Sequence, residues 1–122
     1  MLGPVEDRML IKRHYAAADL FLFPSFYDNA PLVVREAAAM GTPAILPAGS
    51  TASEVITDGV NGFLSERTPE GYAAVIRHLC SDRGAIDKAA RGAASTLTRQ
   101  WADVLREVDA RYSEIISRHG RK

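Results

Sequence analysis

Two short apolar runs, "LFLFP" (Leu20 to Pro24) and "PAILP" (Pro43 to Pro47), are bounded by breakers and separated by one helical pattern. This pairing constrains the fold more than any other feature of the chain. Uninterrupted apolar runs with no polar alternation read as strands buried on both faces, as in a parallel sheet covered by helices. "GFL" (Gly62 to Leu64) is a shorter third candidate. In the intervening "PLVVREAAAM", Pro31 falls where a first helical turn tolerates proline, and Gly41 falls where a left-handed cap would close the helix. Thr42-Pro43 then blocks continuation.

Helical patterns flank this unit. Upstream, "EDRMLIKRHYAAA" puts Ile11, Tyr15 and Ala18 on one face, with Leu10, His14 and Ala17 beside them. His14 is expected to pack among these apolar neighbours. Downstream, Tyr72, Ile76 and Leu79 share a face of a segment running from about Pro69 to Leu79. "DRGAIDKAARGAAS" is a weaker Ala- and Gly-rich helix. From about Thr98 onward, Trp101, Leu105, Val108, Tyr112 and Ile115 recur at steps of four and three as an apolar stripe, read as packing surface. "RHGRK" reads as a frayed basic tail.

Strand and helix alternation followed by helices implies an α/β layer fold with about three parallel strands and a long C-terminal helix. The first strand would sit at an open edge, and it is very apolar for one. The pattern reads as half of a sheet. No repeat or composition break marks a second domain within the 122 residues.

Fifteen basic and fifteen acidic side chains balance, so no overall field would draw the chain to nucleic acid or an anionic bilayer. Cys80 is alone, which excludes an internal disulfide framework and a multi-cysteine metal site. "MLGPVEDRMLIKRH" lacks a basic region followed by an apolar one, so the expectation is a cytoplasmic chain without a signal peptide.

Open parallel sheets bind ligands beyond the carboxyl ends of their strands. The end of "LFLFPS" and the helix at Pro31 meet at such a place. First-turn amides have no intrahelical acceptor, and the helix dipole adds partial positive charge there. Leu32, Val33 and Val34 can therefore offer N–H groups to a phosphate, which Pro31 cannot. Asp28 precedes the helix and Glu36 lies within it. Eight helical residues span at most about 12 Å, roughly the reach needed to hold hydroxyls on either side of a diphosphate. Each carboxylate can accept paired hydrogen bonds from vicinal hydroxyls.

At this point a resemblance becomes specific. "FPSFYDNAPLVVREAAAMGTPAIL" resembles the donor-site signature of retaining glycosyltransferases of the GT-B fold, the group 1 or family 4 enzymes. That signature runs Pro-Ser, an acidic residue, seven others, Glu, then small residues and Gly-Thr-Pro. "SEVITDGVNGFL" and "YAAADLFLFPS" extend the likeness, which covers nearly the whole chain. The resemblance implies that Asp28 contacts hydroxyls of the transferred sugar and Glu36 binds the nucleotide ribose, the two forming the catalytic pair. Ser25 and the backbone near Asn29, Ala30, Leu32 and Val33 would meet the donor's sugar and diphosphate. The implied reaction moves a hexose-like unit from a nucleoside diphosphate sugar to an acceptor, with retention. No metal or other cofactor is implied, because helix ends and basic side chains neutralise the leaving diphosphate.

Two departures stand out. Asp28 occupies a position where the family most often has Glu, and Asn29-Ala30 follows it in place of Gly-aromatic. "PAGSTASE" is less glycine-rich than the family's segment before Glu54. Glu54 is read as a structural residue ordering the turn after it, Arg35 as an exposed helix residue, and Cys80 as a small helix residue.

By this resemblance, residues 1–122 correspond to the second half of the C-terminal, donor-binding domain, with "MLGPV" as the remnant of a preceding strand. The N-terminal acceptor domain and the first donor-domain strands would lie elsewhere in the enzyme, and the chain alone is expected to be inactive, as a fragment or a truncated reading frame. Its partners would be the nucleotide sugar and that N-terminal domain, without nucleic acid; peripheral membrane association of the whole enzyme is compatible with the family. Two other classes remain open. A nucleotide-sugar 2-epimerase shares the architecture but generally lacks the full signature. A noncatalytic module would self-associate through its open strand edge or its apolar C-terminal helix.

Overall fold

The computed structural model describes residues 3–29 and 31–120. Strands β1 (Phe21–Leu22), β2 (Ala44–Pro47) and β3 (Phe63–Ser65) run parallel in the order β1-β2-β3. Around them lie helices α1 (Arg8–Ala17), α2 (Leu32–Ala39), α3 (Pro69–Ser81), α4 (Arg83–Thr96) and α5 (Trp101–His119), with a 3-10 turn at Thr51–Val55.

β2 is the central strand, and all four of its residues are buried. Its alternation divides the core. Ala44 and Leu46 pack with Val34 and Ala38 of α2 and with Ala93 and Leu97 at the end of α4. Ile45 packs the other way, against Phe63, Leu79 of α3, and Ile86 and Ala89 of α4. The Ala-rich α4 thus serves both core clusters, because small residues let its backbone approach closely. Gly92 marks the tightest approach: a Cβ there would lie 1.9 Å from the Val60 carbonyl oxygen.

The expected strand from Leu20 to Pro24 contracts to two paired residues, Phe21 opposite Ala44 and Leu22 opposite Ile45. Among the described residues only β2 flanks it, and Pro24 has no amide to extend the ladder. Phe23 N still donates to Ile45 O at 3.0 Å. β1 is an edge strand, and Leu22 is 47% exposed, so only β2 meets the expectation of burial on both faces.

α2 ends as its sequence indicates. Gly41 has φ 79°, the left-handed conformation that closes a helix, and Thr42 N returns to Ala37 O at 2.9 Å. The Thr42 hydroxyl donates to Tyr15 O at 2.5 Å, fastening α1 to the start of β2. Asp7 caps α1 by accepting from Met9 N at 2.8 Å.

Several side chains depart from the sequence reading. His14 is exposed, because α1 turns its half-buried Ile11 and Tyr15 toward α2 and buries no residue fully. Arg35 is half-buried, and its guanidinium donates to Leu97 O at 2.9 Å, tying α2 to the end of α4. The turn after Glu54 is ordered by other residues. Buried Asn61 accepts from Thr57 N at 2.7 Å and donates to Val55 O and Thr96 Oγ1, while Asp58 accepts from Leu64 N at 2.9 Å. Glu54 itself is exposed.

The helix α5 continues through Arg118 and His119, which the sequence reading assigned to a frayed tail, and Arg118 pairs with Glu114 at 2.5 Å. No residue of α5 is buried, so its stripe does not pack within the described residues. Of "MLGPV", Gly3, Pro4 and Val5 form no strand; Met1 and Leu2, like Arg121 and Lys122 of the tail, lie outside the described residues. Among the described residues, no helix is long and apolar enough to cross a membrane.

Candidate functional site

The loop from Ser25 to Pro31 leaves the carboxyl end of β1 and delivers the chain to α2. Pro31 is the N-cap residue, with φ −62° and ψ 119°, and no side chain caps the helix. Val34 N makes the turn's first backbone bond, to Pro31 O at 3.2 Å. The Leu32 and Val33 amides precede it, where the helix dipole concentrates partial positive charge.

Glu36 lies one turn further along α2, on the side that faces α1. It contributes to a cavity of about 310 Å³ between the two helices, whose wall also carries Arg8, Lys12, Tyr15 and Met40. The Arg8 guanidinium approaches the Glu36 carboxylate at 3.9 Å across this groove. Burial raises the pKa of the Tyr15 phenol above its ordinary 10.0, and the Glu36 carboxylate adds to the rise. Tyr15 is fixed from behind by an edge contact with Phe21, their ring centroids 5.5 Å apart. The cavity therefore presents one carboxylate, two cations and a phenol over an apolar floor.

A second cavity, of about 250 Å³, opens at the N-terminal end of α2 against the 3-10 turn. Asn29, Pro31, Arg35, Thr51 and Glu54 line it. Pro31, Val34 and Arg35 face this cavity, whereas Glu36, Ala39 and Met40 face the first, so the two open on different sides of α2. Asp28 lines neither cavity. It is half-buried in the loop, with its carbonyl accepting from the Thr51 hydroxyl at 2.9 Å.

The residues singled out in the sequence therefore share one helix end but not one cavity. Glu36 and Asn29 line separate hollows, Leu32 is exposed, and Val33 and Ser25 are half-buried. Ala30 lies outside the described residues. The sequence reading missed Arg8, Lys12 and Tyr15. Their spacing along α1, together with Ile11, places them on one face, and that was the available signal. Among the described residues, no group of three or more His, Cys, Asp and Glu side chains is placed to hold a metal ion.

Comparison with known proteins follows the same outline. Residues 1–82 match the family model described as "Glycosyl transferases group 1". The chain is 35% identical over 113 residues to a D-inositol 3-phosphate glycosyltransferase of Geodermatophilus obscurus, covering 92% of this chain and 24% of that protein. Its counterpart in Xylanimonas cellulosilytica is 37% identical over 97 residues, covering 79% of this chain and 23% of that protein. The chain thus spans about a quarter of the length of these relatives. Among solved structures, the C-terminal domain of a group 1 glycosyl transferase (LpcC) from Francisella tularensis superposes with a TM-score of 0.70 at 26% identity, covering 79% of this chain and 50% of that one. Sucrose-phosphate synthase from Thermosynechococcus elongatus gives 0.80 at 21% identity, covering 95% and 30%, a likeness of fold. The three parallel strands and long final helix are those of a GT-B C-terminal domain. On the family match, which takes in more than half of its residues, the chain belongs to the group 1 glycosyltransferases.

Proposed function

We propose that this chain binds the nucleoside diphosphate sugar donor of a retaining glycosyltransferase, as the second half of its donor-binding domain. The observation that carries the reading is the position of Glu36, in a walled cavity one turn beyond a helix N-terminus that no side chain caps. The carboxylate would take the ribose hydroxyls, and the Leu32 and Val33 amides would take phosphate oxygens. Asp28, in the loop before the helix, would contact hydroxyls of the transferred sugar. Ser25 and the backbone near Asn29 would add contacts to the donor's sugar and diphosphate.

In this reading the diphosphate is the leaving group. Amides at a helix end stabilise the negative charge that develops there as the bond to the sugar breaks. The acceptor and the remaining donor contacts would come from the rest of the enzyme, so the chain alone would not turn over substrate. The names of the relatives suggest the class of chemistry: inositol phosphate glycosylation in the curated ones, and complexes with UDP and UDP-glucose in Anabaena HepE, which is 23% identical. The test is titration of the chain with UDP-glucose, followed by amide chemical shifts at Leu32, Val33 and Glu36, in wild type and Glu36→Ala.

A second reading concerns association. Trp101, Leu105, Val108, Tyr112 and Ile115 are all exposed on α5 and spaced by fours and threes, the seam of a two-helix coiled coil. Several charged side chains pair along the helix, as Arg111 with Glu107 at 2.7 Å and Arg118 with Glu114 at 2.5 Å. The chain would pair with a second copy through this seam. Light scattering should then give a mass twice that of the chain and a single-chain mass for Leu105→Glu. A monomeric wild type at high concentration would contradict it.

A further inference from the structure

The segment Ser25–Asn29 has no regular secondary structure, yet it must place Asp28. Two clamps hold it from outside. Thr51 donates its amide to Phe26 O at 3.4 Å and its hydroxyl to Asp28 O at 2.9 Å. The second clamp is Arg67, in the middle of the connection from β3 to α3. Its guanidinium carbon lies 3.7 Å from the centroid of the Phe26 ring. The same guanidinium donates to Ala48 O at 3.2 Å and Gly49 O at 3.5 Å. One side chain therefore joins three segments, each leaving the carboxyl end of a different strand.

The fit is specific. Gly49 has φ 72°, and a Cβ there would lie 2.8 Å from Arg67 Nη2, so the backbone of this turn leaves room for the guanidinium. A planar guanidinium can stack on a ring and use its in-plane N–H groups at the same time, which an ammonium cannot. Phe26 also meets the Tyr27 ring edge-on, with centroids 5.3 Å apart, so the anchor reaches the residue next to Asp28.

We infer that Arg67 is the positioning residue of the donor loop, stacking on Phe26 and gripping the Ala48–Gly49 turn so that Asp28 is held beside the α2 N-terminus. This rests on the reading of Asp28 as a contact to the transferred sugar, but the loop's order can be measured without any donor. Arg67 would touch no substrate atom. It would act through Phe26 and Thr51 on where the loop sits.

The test uses the 122-residue chain with Arg67→Gln, Arg67→Lys, Phe26→Leu and the Arg67→Gln/Phe26→Leu double variant. Amide shifts of Asp28 and Asn29, and exchange of the Thr51 amide, report the loop. Thr51 exchange should quicken about two- to fivefold in Arg67→Gln, the span of an exposed cation–π contact. Arg67→Lys should recover part of this, and Arg67→Gln should add little once Phe26 is replaced. Core amides such as Leu46 should not change. Unchanged Asp28 and Asn29 shifts in Arg67→Gln, or effects that simply add in the double variant, would overturn the inference. UDP-glucose titration then separates the two claims. If wild type binds and Arg67→Gln binds more weakly with its core intact, positioning of the donor loop is supported. Equal binding by both would overturn it. If wild type does not bind, the donor reading fails on its own, and the donor-free loop measurements decide the Arg67 clamp.

Discussion

Glu36 holds its carboxylate 3.9 Å from the Arg8 guanidinium across the groove between α1 and α2. Both side chains are well exposed, at 47% and 86%, so water screens the pair and two flexible chains must be ordered to make it. Such a contact adds little to folding and leaves the carboxylate free to change partners. Arg8→Ala should alter stability in urea by no more than about 0.5 kcal/mol. A loss well above 1 kcal/mol would mean that the groove is a structural ion pair rather than an open site.

Gly92 separates packing from propensity. Its missing side chain admits the Val60 carbonyl, whereas the nearest heavy atom to a Cβ at Gly84, in the first turn of the same helix, would be 3.5 Å away. Gly92→Ala should cost about 1–3 kcal/mol through overpacking. Gly84→Ala should be neutral or stabilise by up to about 1 kcal/mol. Denaturation midpoints of the two variants, compared in one experiment, check both signs.

Tyr72 supplies a pH dependence. Its hydroxyl reaches the carbonyl oxygens of Phe23 and Ile45 at 3.1 and 3.2 Å, where the edge strand meets β2. Burial raises its pKa above the ordinary 10.0, with a bond to Ser65 opposing part of the rise. Below pH 10 the phenol is protonated in both folded and unfolded chains, and its contribution is intact. Between 10 and the raised folded value the unfolded chain releases the proton first, so stability falls as pH rises. Tyr15, raised by burial and by Glu36, acts in the same direction. Tyr72→Phe should flatten the decline above pH 10 while lowering stability at neutral pH through the lost hydrogen bond. Chemical denaturation at pH 8 and pH 10.5 measures both.

The parallel sheet was legible because β2 is an unbroken apolar run between prolines, and Gly41 announced the end of α2 through the backbone shape it permits. The extent of β1 was not, since Leu20 and Pro24 look like strand residues but a strand needs neighbours, and β1 has only one among the described residues. Asn61 stood within "SEVITDGVNGFL" without a role of its own, because its bond to Thr96 depends on where α4 returns. Around the candidate site, the spacing of Asp28 in the loop and Glu36 in the helix could be read from the sequence, along with the bare helix end between them. Arg8, Lys12 and Tyr15 were not, because they join Glu36 only when α1 lies beside α2. The separation of Glu36 and Asn29 into two cavities likewise follows from the rotation of α2 against its neighbours.

The most direct measurement is titration of wild type and Glu36→Ala with UDP-glucose, observed by the amide shifts of Leu32, Val33 and residue 36. Saturable shifts are expected at these amides in wild type, with a dissociation constant about 10- to 100-fold weaker once the carboxylate's hydrogen bonds to the ribose are gone. Equal affinity in the two proteins, or no shift at the α2 N-terminus with millimolar donor, would contradict the donor-binding reading.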